Sequence, residues 1–246
     1  MKEISKITLI RHGQASFGAE NYDQLSDLGR LQAAALGEFF LNHQIKFDRI
    51  IHGEMSRQME TAQILAKSKG HQSDLISDKD ANEFDSDNVL KHYLPILAGQ
   101  SEEFHRKIYS TKKWYSQPKD FELIFRALIN LWQQDKKCPF ESWVDFRQRS
   151  IELLNRIRIQ QGANKKIALV TSGGLISVVM QAILKFDDHI FMDMNLTINN
   201  ASVTEIKINS LKNNKKTNQN LNANLLSFNN ISPLIVKKRS ELITRK

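Results

Sequence analysis

Apolar residues recur along the chain in two rhythms, one of strands and one of helices. Residues 4–10 are short, apolar and β-branched, and read as a buried central strand that stops at Arg11-His12-Gly13. Behind Ser26, a residue type that caps helices, apolar positions return at Leu28, Leu31, Ala35, Leu36, Phe39 and Phe40, and this spacing predicts a helix over about 27–42. Residues 47–52 repeat the strand pattern. Ser56 then caps a second helix through Met59, Ala62, Ile64 and Leu65, which Lys69-Gly70 stops. Leu75-Ile76-Ser77 reads as a short edge strand leading into Asn82-Glu83-Phe84-Asp85, and residues 166–171 as a further apolar strand ending at Ser172-Gly173-Gly174.

Repeated strand-then-helix units imply a three-layer α/β/α fold with a mostly parallel central sheet. In such sheets ligands bind beyond the carboxyl ends of the strands, so Arg11, His12, Arg57, Glu83 and Ser172 are expected to converge there. Between about 88 and 160 the pattern is helical alone, with 121–132 and 143–159 both amphipathic, and this stretch reads as a helical insertion broken at Pro95, Pro118 and Pro139. Its aromatics Phe104, Trp114, Tyr115, Trp132 and Trp143 read first as core. Near the end, 201–208 alternates as a strand and 225–228 pairs back across a polar loop of about 209–224. A length of 246 residues accommodates all of this as one domain, 1–246.

Composition narrows the function classes. With 41% hydrophobic and 25% charged residues the chain is an ordinary globular one. The net charge of +8 gathers late, at Lys212, Lys215, Lys216, Lys237, Lys238, Arg239, Arg245 and Lys246. No aromatic residues interleave with these lysines as stacking platforms, which favours a solvated surface over nucleic-acid contact. The single cysteine, Cys138, cannot close an internal disulfide, and the apolar run before Arg11 is too short for a signal peptide or a membrane span, so a cytoplasmic location is expected. No Cys and His cluster has zinc-ligand spacing, and His43, His52, His71, His92, His105 and His189 read as structural or solvated, with His52 and His92 nearest the crevice. Monomer and homodimer are both left open.

Taken singly, the polar residues at the strand ends have plain readings: His12 a core histidine, Arg57 a solvated helix residue, Glu83 a turn cap, Ser172 a helix N-cap. Together they look different. A strand followed by Arg11-His12-Gly13-Gln14 resembles the opening motif of histidine phosphatases, the phosphoglycerate mutase-like superfamily. Leu25, Gly29, Gln32 and Ala33 are similar to the next stretch of that family, and Ser56-Arg57-Gln58-Met59-Glu60-Thr61-Ala62 resembles its segment bearing a second phosphate-binding arginine. Glu83 stands where the family places its proton donor, and Val170 to Gly174 where it places a second histidine motif, with serine at 172 in the position that usually carries histidine.

The resemblance implies a phosphomonoester hydrolase that carries the phosphoryl group on His12, without cofactor or metal, acting on a small phosphorylated substrate. Transfer of a phosphoryl group needs an in-line nucleophile and cations around the equatorial oxygens. His12 is the implied nucleophile, Arg11 and Arg57 the guanidinium clamp, and Glu83 the acid and base, with Asp85 a fallback two positions on. Ser172 and Gly173 complete the phosphate cradle, with Gly173, Gly174 and the following helix offering backbone N–H groups to the anion. The lost imidazole predicts reduced activity, and Ser172→His is expected to preserve or raise turnover. Two alternatives remain: a mutase that returns the phosphoryl group to substrate, and a weakly active or inactive phosphate-binding regulatory protein.

Overall fold

The computed structural model describes residues 4–16, 23–67, 74–109, 115, 117–161, 165–209, 221–235 and 240–245. Within them, β1 (Ile4–Arg11), β2 (Arg49–His52), β3 (Asp74–Ser77), β4 (Lys166–Thr171), β5 (Val203–Asn209) and β6 (Ala223–Asn230) form one sheet in the order β3-β2-β4-β1-β5-β6. The first four run parallel, with Arg11 opposite Thr171 and His52 opposite Val170, while β5 is antiparallel to both its neighbours. The helices are α1 (Asp27–Asn42), α2 (Ser56–Lys67), α3 (Ser86–Gln100), α4 (Glu102–Tyr109), α5 (Pro118–Gln134), α6 (Trp143–Gln161), α7 (Gly173–Leu184), α8 (Phe191–Thr197) and α9 (Ser232–Ile235).

The central strands read as apolar runs because both their faces are covered. In β1, Ile7 and Leu9 enter one core and Ile10 the other; in β4, Ile167 and Leu169 divide from Ala168 and Val170 in the same way. One face is covered by α1, α2 and α9, the other by α3 to α8. The expected three-layer α/β/α architecture with a mostly parallel sheet is the one observed.

Residues 86–109 and 118–161 are helical throughout, apart from their short connections, and both enter the sheet's own core, the second with aromatics that face Phe84. Trp132, Trp143, Phe146 and Phe191 are buried, and Phe84 packs against Trp132 at 5.0 Å and Phe146 at 5.6 Å between ring centroids. Pro118 starts α5 at its first turn and Pro139 lies in the connection to α6, as expected of helix punctuation. Pro95 does not: it lies inside α3, which continues to Gln100. Burial of Leu97 and Ala98 in the core holds the turn beyond the proline and outweighs the lost backbone hydrogen bond.

Ser26 caps α1, its Oγ accepting from the Gly29 amide at 3.0 Å. Ser56 is no cap; it is the first residue of α2, and its amide donates to Asp23 Oδ2 at 2.7 Å. Of the basic residues late in the sequence only Arg245 is among those described. Trp114, His71, the Lys69-Gly70 stop and most of the polar 209–224 loop lie outside them.

Candidate active site

Four segments meet at the carboxyl ends of the parallel strands. The first follows β1, where His12 donates its amide to Thr171 O at 2.9 Å and its own carbonyl accepts from the Ala201 amide at 3.2 Å. The turn is tightly drawn. A Cβ on Gly13 would stand 2.4 Å from Gly29 O, and one on Gly29 only 2.1 Å from Gln14 O, so neither position tolerates a side chain without displacing backbone.

The His12 ring is buried and its tautomer is fixed from both sides. Nδ1 lies 2.6 Å from Gly13 O, which can only accept, so Nδ1 carries the proton. Nε2 receives the Nε–H of Arg57 at 3.1 Å, so Nε2 presents its lone pair. Burial, then the Arg57 charge, then the Arg11 charge hold the ring's pKa well below its ordinary value, and the bond to Gly13 O only partly opposes them. The result is a neutral imidazole at neutral pH with a basic nitrogen facing a guanidinium.

Arg57 sits at the start of α2, nine-tenths and more buried, and its Nη1 reaches Asp23 Oδ1 at 2.5 Å. Asp23 thus orients the guanidinium while also accepting from the first amide of α2. Arg11, on β1, donates through Nη1 to the carbonyls of Ile198 and, at 3.1 Å, Arg245. Its Nε comes within 3.6 Å of where a Cβ of Gly173 would be, so it lies against the start of α7.

Glu83 follows the short 3₁₀ turn Lys79–Ala81. Its Oε2 accepts from the Gly174 amide at 2.8 Å and its Oε1 from the Phe84 amide at 3.1 Å. Loss of water around the carboxyl raises its pKa, with the Gly174 amide, Arg57, the Phe84 amide and Arg11 pulling the other way. Arg11 and Arg57 therefore act on both His12 and Glu83, in keeping with Arg57 bonded to His12, and Arg11 and Glu83 lying against the neighbouring residues Gly173 and Gly174. Asp85 faces elsewhere: it is exposed and caps α3, accepting from the Asn88 amide at 3.0 Å.

Ser172 is buried at the N-terminus of α7, but its side chain makes no cap bond to the helix. Its Oγ instead accepts from Gln58 Nε2 at 2.7 Å. The expected anion-binding helix start needs a correction. The Gly174 N–H is directed at Glu83, not at the crevice, because a side chain at 174 is missing where Glu83 enters: a Cβ there would lie 2.1 Å from Glu83 Oε1. Gly173 remains beside Arg11. The other two histidines considered near the crevice are packed otherwise, His52 with Nδ1 2.8 Å from Gly53 O and His92 edge-on to Tyr93 and Phe140.

Three contributors carry no mark in the sequence. Asp23 pairs with Arg57 from 34 positions away. Gln58 is wholly buried against Ser172. Arg149 of α6 holds the loop before Glu83 by donating to Asp80 O at 2.8 Å and Asn82 O at 3.0 Å while pairing with Glu141. The charge run of Asp78 and Asp80 is likewise tied to α6, through Arg156.

The sequence profile of the histidine phosphatase superfamily (branch 1) matches residues 7–221. Serine/threonine-protein phosphatase Pgam5, mitochondrial, from Caenorhabditis briggsae is 44% identical over 61 residues, 25% of this chain and 21% of that protein, so the chain spans about a fifth of this relative's length. Among solved structures, phosphoglycerate mutase from Bacillus anthracis superposes with a TM-score of 0.60 at 19% identity, covering 96% of this chain and 98% of the other. A phosphoserine phosphatase variant from Entamoeba histolytica, in complex with phosphoserine, gives a TM-score of 0.56 at 17% identity, covering 94% of this chain and all of that one.

Proposed function

The chain belongs to the histidine phosphatase superfamily, and from that premise we propose that it hydrolyses phosphomonoesters by way of a phosphoryl group carried on His12. The observation that carries the reading is the pairing of a neutral imidazole, its Nε2 lone pair 3.1 Å from the Arg57 guanidinium, with a carboxyl whose pKa is raised. Each group is shifted in the direction that its step requires, the ring toward its neutral form and the carboxyl toward its protonated one.

In the first step Nε2 attacks phosphorus and the bond to the ester oxygen breaks. Glu83 gives its proton to the departing alkoxide, while Arg11 and Arg57 hold the equatorial oxygens as charge spreads onto them. The Arg57 Nε–H, now directed at Nε2, exchanges that acceptor for a phosphoryl oxygen lying next to it. In the second step water attacks phosphorus, the Glu83 carboxylate takes its proton, and the N–P bond breaks to release phosphate and restore the neutral ring. Nδ1, held by Gly13 O, keeps its proton throughout.

The named relatives act on different molecules or carry the names of phosphatases and a mutase; what those names share is a phosphomonoester, and that class is the substrate proposed here. A second reading, phosphate binding without turnover, is favoured by one observation: the serine at 172 offers a neutral hydroxyl where an imidazole would bring charge. Release of nitrophenol from p-nitrophenyl phosphate by the intact chain and by His12→Ala decides between them. Turnover abolished by the substitution supports the hydrolase; equal release by both proteins removes the nucleophile, and no release by either, with phosphate still bound, selects the binding protein.

A further inference from the structure

Gln58 follows Arg57 on α2, yet its side chain is wholly buried. A buried amide is costly unless its donors and acceptors are met, and here Oε1 has no partner among the described residues, so only Nε2 offsets the cost. Its Nε2 faces two oxygens, Ser172 Oγ at 2.7 Å and Ala81 O at 3.4 Å. The Ala81 carbonyl can only accept, and it already accepts from Thr171 Oγ1 at 2.6 Å. An amide oxygen turned toward that carbonyl would be repelled, so the NH₂ group lies on this side. Ser172 Oγ is therefore an acceptor from Gln58, and its own proton is directed away from α2.

Ser172 lies between two residues that border the site. Thr171, the residue before it, is paired with Arg11 and takes the His12 amide; Gly173, the residue after it, lies against Arg11. The arrangement is accommodated at a third position. A Cβ on Gly53 would be 1.8 Å from Gln58 Oε1, so the amide fits only because residue 53 is glycine.

We propose that Gln58 is a positioning residue that turns the Ser172 hydroxyl proton onto the phosphoryl group, and that Gln58 and Ser172 together fill the space an imidazole at 172 would need. The proposal rests on the hydrolase reading above. It also corrects the expectation for Ser172→His: with Gln58 only 2.7 Å from the serine oxygen, an imidazole introduced alone collides with the amide.

The test is a cycle of Gln58→Met and Ser172→Ala, singly and together, in steady-state hydrolysis of p-nitrophenyl phosphate, with thermal midpoints recorded in parallel. Gln58→Met in the intact protein is expected to lower kcat/KM about tenfold, the worth of one oriented hydrogen bond. In the Ser172→Ala background the same change should alter it by less than about twofold, since nothing is left to orient. Equal losses in both backgrounds assign Gln58 to packing alone and overturn the positioning role. Ser172→His by itself should lose activity, and Gln58→Ala/Ser172→His should recover at least about tenfold over it; failure to recover overturns the shared space. If the unaltered chain shows no His12-dependent turnover, the hydrolase reading fails separately. The cycle is then read in orthovanadate affinity by calorimetry, where non-additive effects support the pair and additive ones refute it.

Discussion

Replacing Arg57 with alanine tests the electrostatics of the site more sharply than any other single change. The guanidinium is buried, donates to His12 Nε2 at 3.1 Å and is oriented by Asp23 at 2.5 Å. Two charge-assisted hydrogen bonds to phosphoryl oxygens contribute about 1.5–3 kcal/mol each, so their loss should lower kcat/KM by roughly 10² to 10⁴. The pH profile adds a second, independent signature. The proposed mechanism requires His12 neutral and Glu83 protonated, and so predicts a bell whose acid limb belongs to the ring and whose alkaline limb belongs to the carboxyl. Arg57 depresses both pKa values, as the second cause for His12 and as one of several for Glu83. Its removal raises both, so the whole bell should move to higher pH as its height falls. Initial rates on p-nitrophenyl phosphate across a pH series, at constant ionic strength, measure both. A variant whose rate falls while both limbs stay in place would refute the shared influence of this charge.

Other consequences are equally specific. Gly174→Ala should abolish most turnover, because its Cβ would meet Glu83 Oε1 at 2.1 Å, whereas Gly173→Ala displaces only the Asn195 side chain and should be milder; reversal of that order in kcat would contradict the placement of Glu83. Arg149→Met should cost about 2–3 kcal/mol in chemical denaturation by leaving the carbonyls of Asp80 and Asn82 and the Glu141 carboxylate without their donor, and should lower kcat by loosening the loop before Glu83. His12 sets a stability trend as well. Its folded pKa lies below the ordinary 6.5, so the unfolded chain binds the proton more readily and stability falls as pH drops through that value. His12→Asn should flatten the slope of the unfolding free energy between pH 7 and 5, and an unchanged slope would show that the ring is not held neutral.

Much of the scaffold was legible because it is written locally. The alternation of strand and helix from Ile4 to Leu65 places Arg11, His12 and Arg57 at the carboxyl end of the parallel strands, and Ser26 signals the start of α1 without help from elsewhere in the chain. What could not be read depends on partners far apart in sequence. Asp23 looks like any surface carboxylate until the fold brings Arg57 to it, and Arg149 lies on the polar side of an amphipathic pattern until the loop of Asp80 to Asn82 closes over it. Gln58 is polar within a polar stretch of helix, and nothing local distinguishes it from a solvated residue; its burial follows from Gly53 and Ser172, the residues just after β2 and β4. Pro95 misled for the opposite reason, since its local rule is strong and only the burial of Leu97 and Ala98 overrides it. Asp85 and Glu83 are indistinguishable by spacing, and separate only when one caps α3 and the other turns to Gly174.

The central claim is that His12 Nε2 becomes covalently phosphorylated. Mixing the chain with a stoichiometric aryl phosphate, quenching within the first turnover under alkaline denaturing conditions that preserve phosphohistidine, and mapping the modified peptide by mass spectrometry addresses it directly. A phosphoryl group on the peptide containing His12, absent from His12→Ala and lost on acidification, is the predicted result. Turnover that proceeds with no such adduct at any quench time, or with the label on another residue, would contradict it.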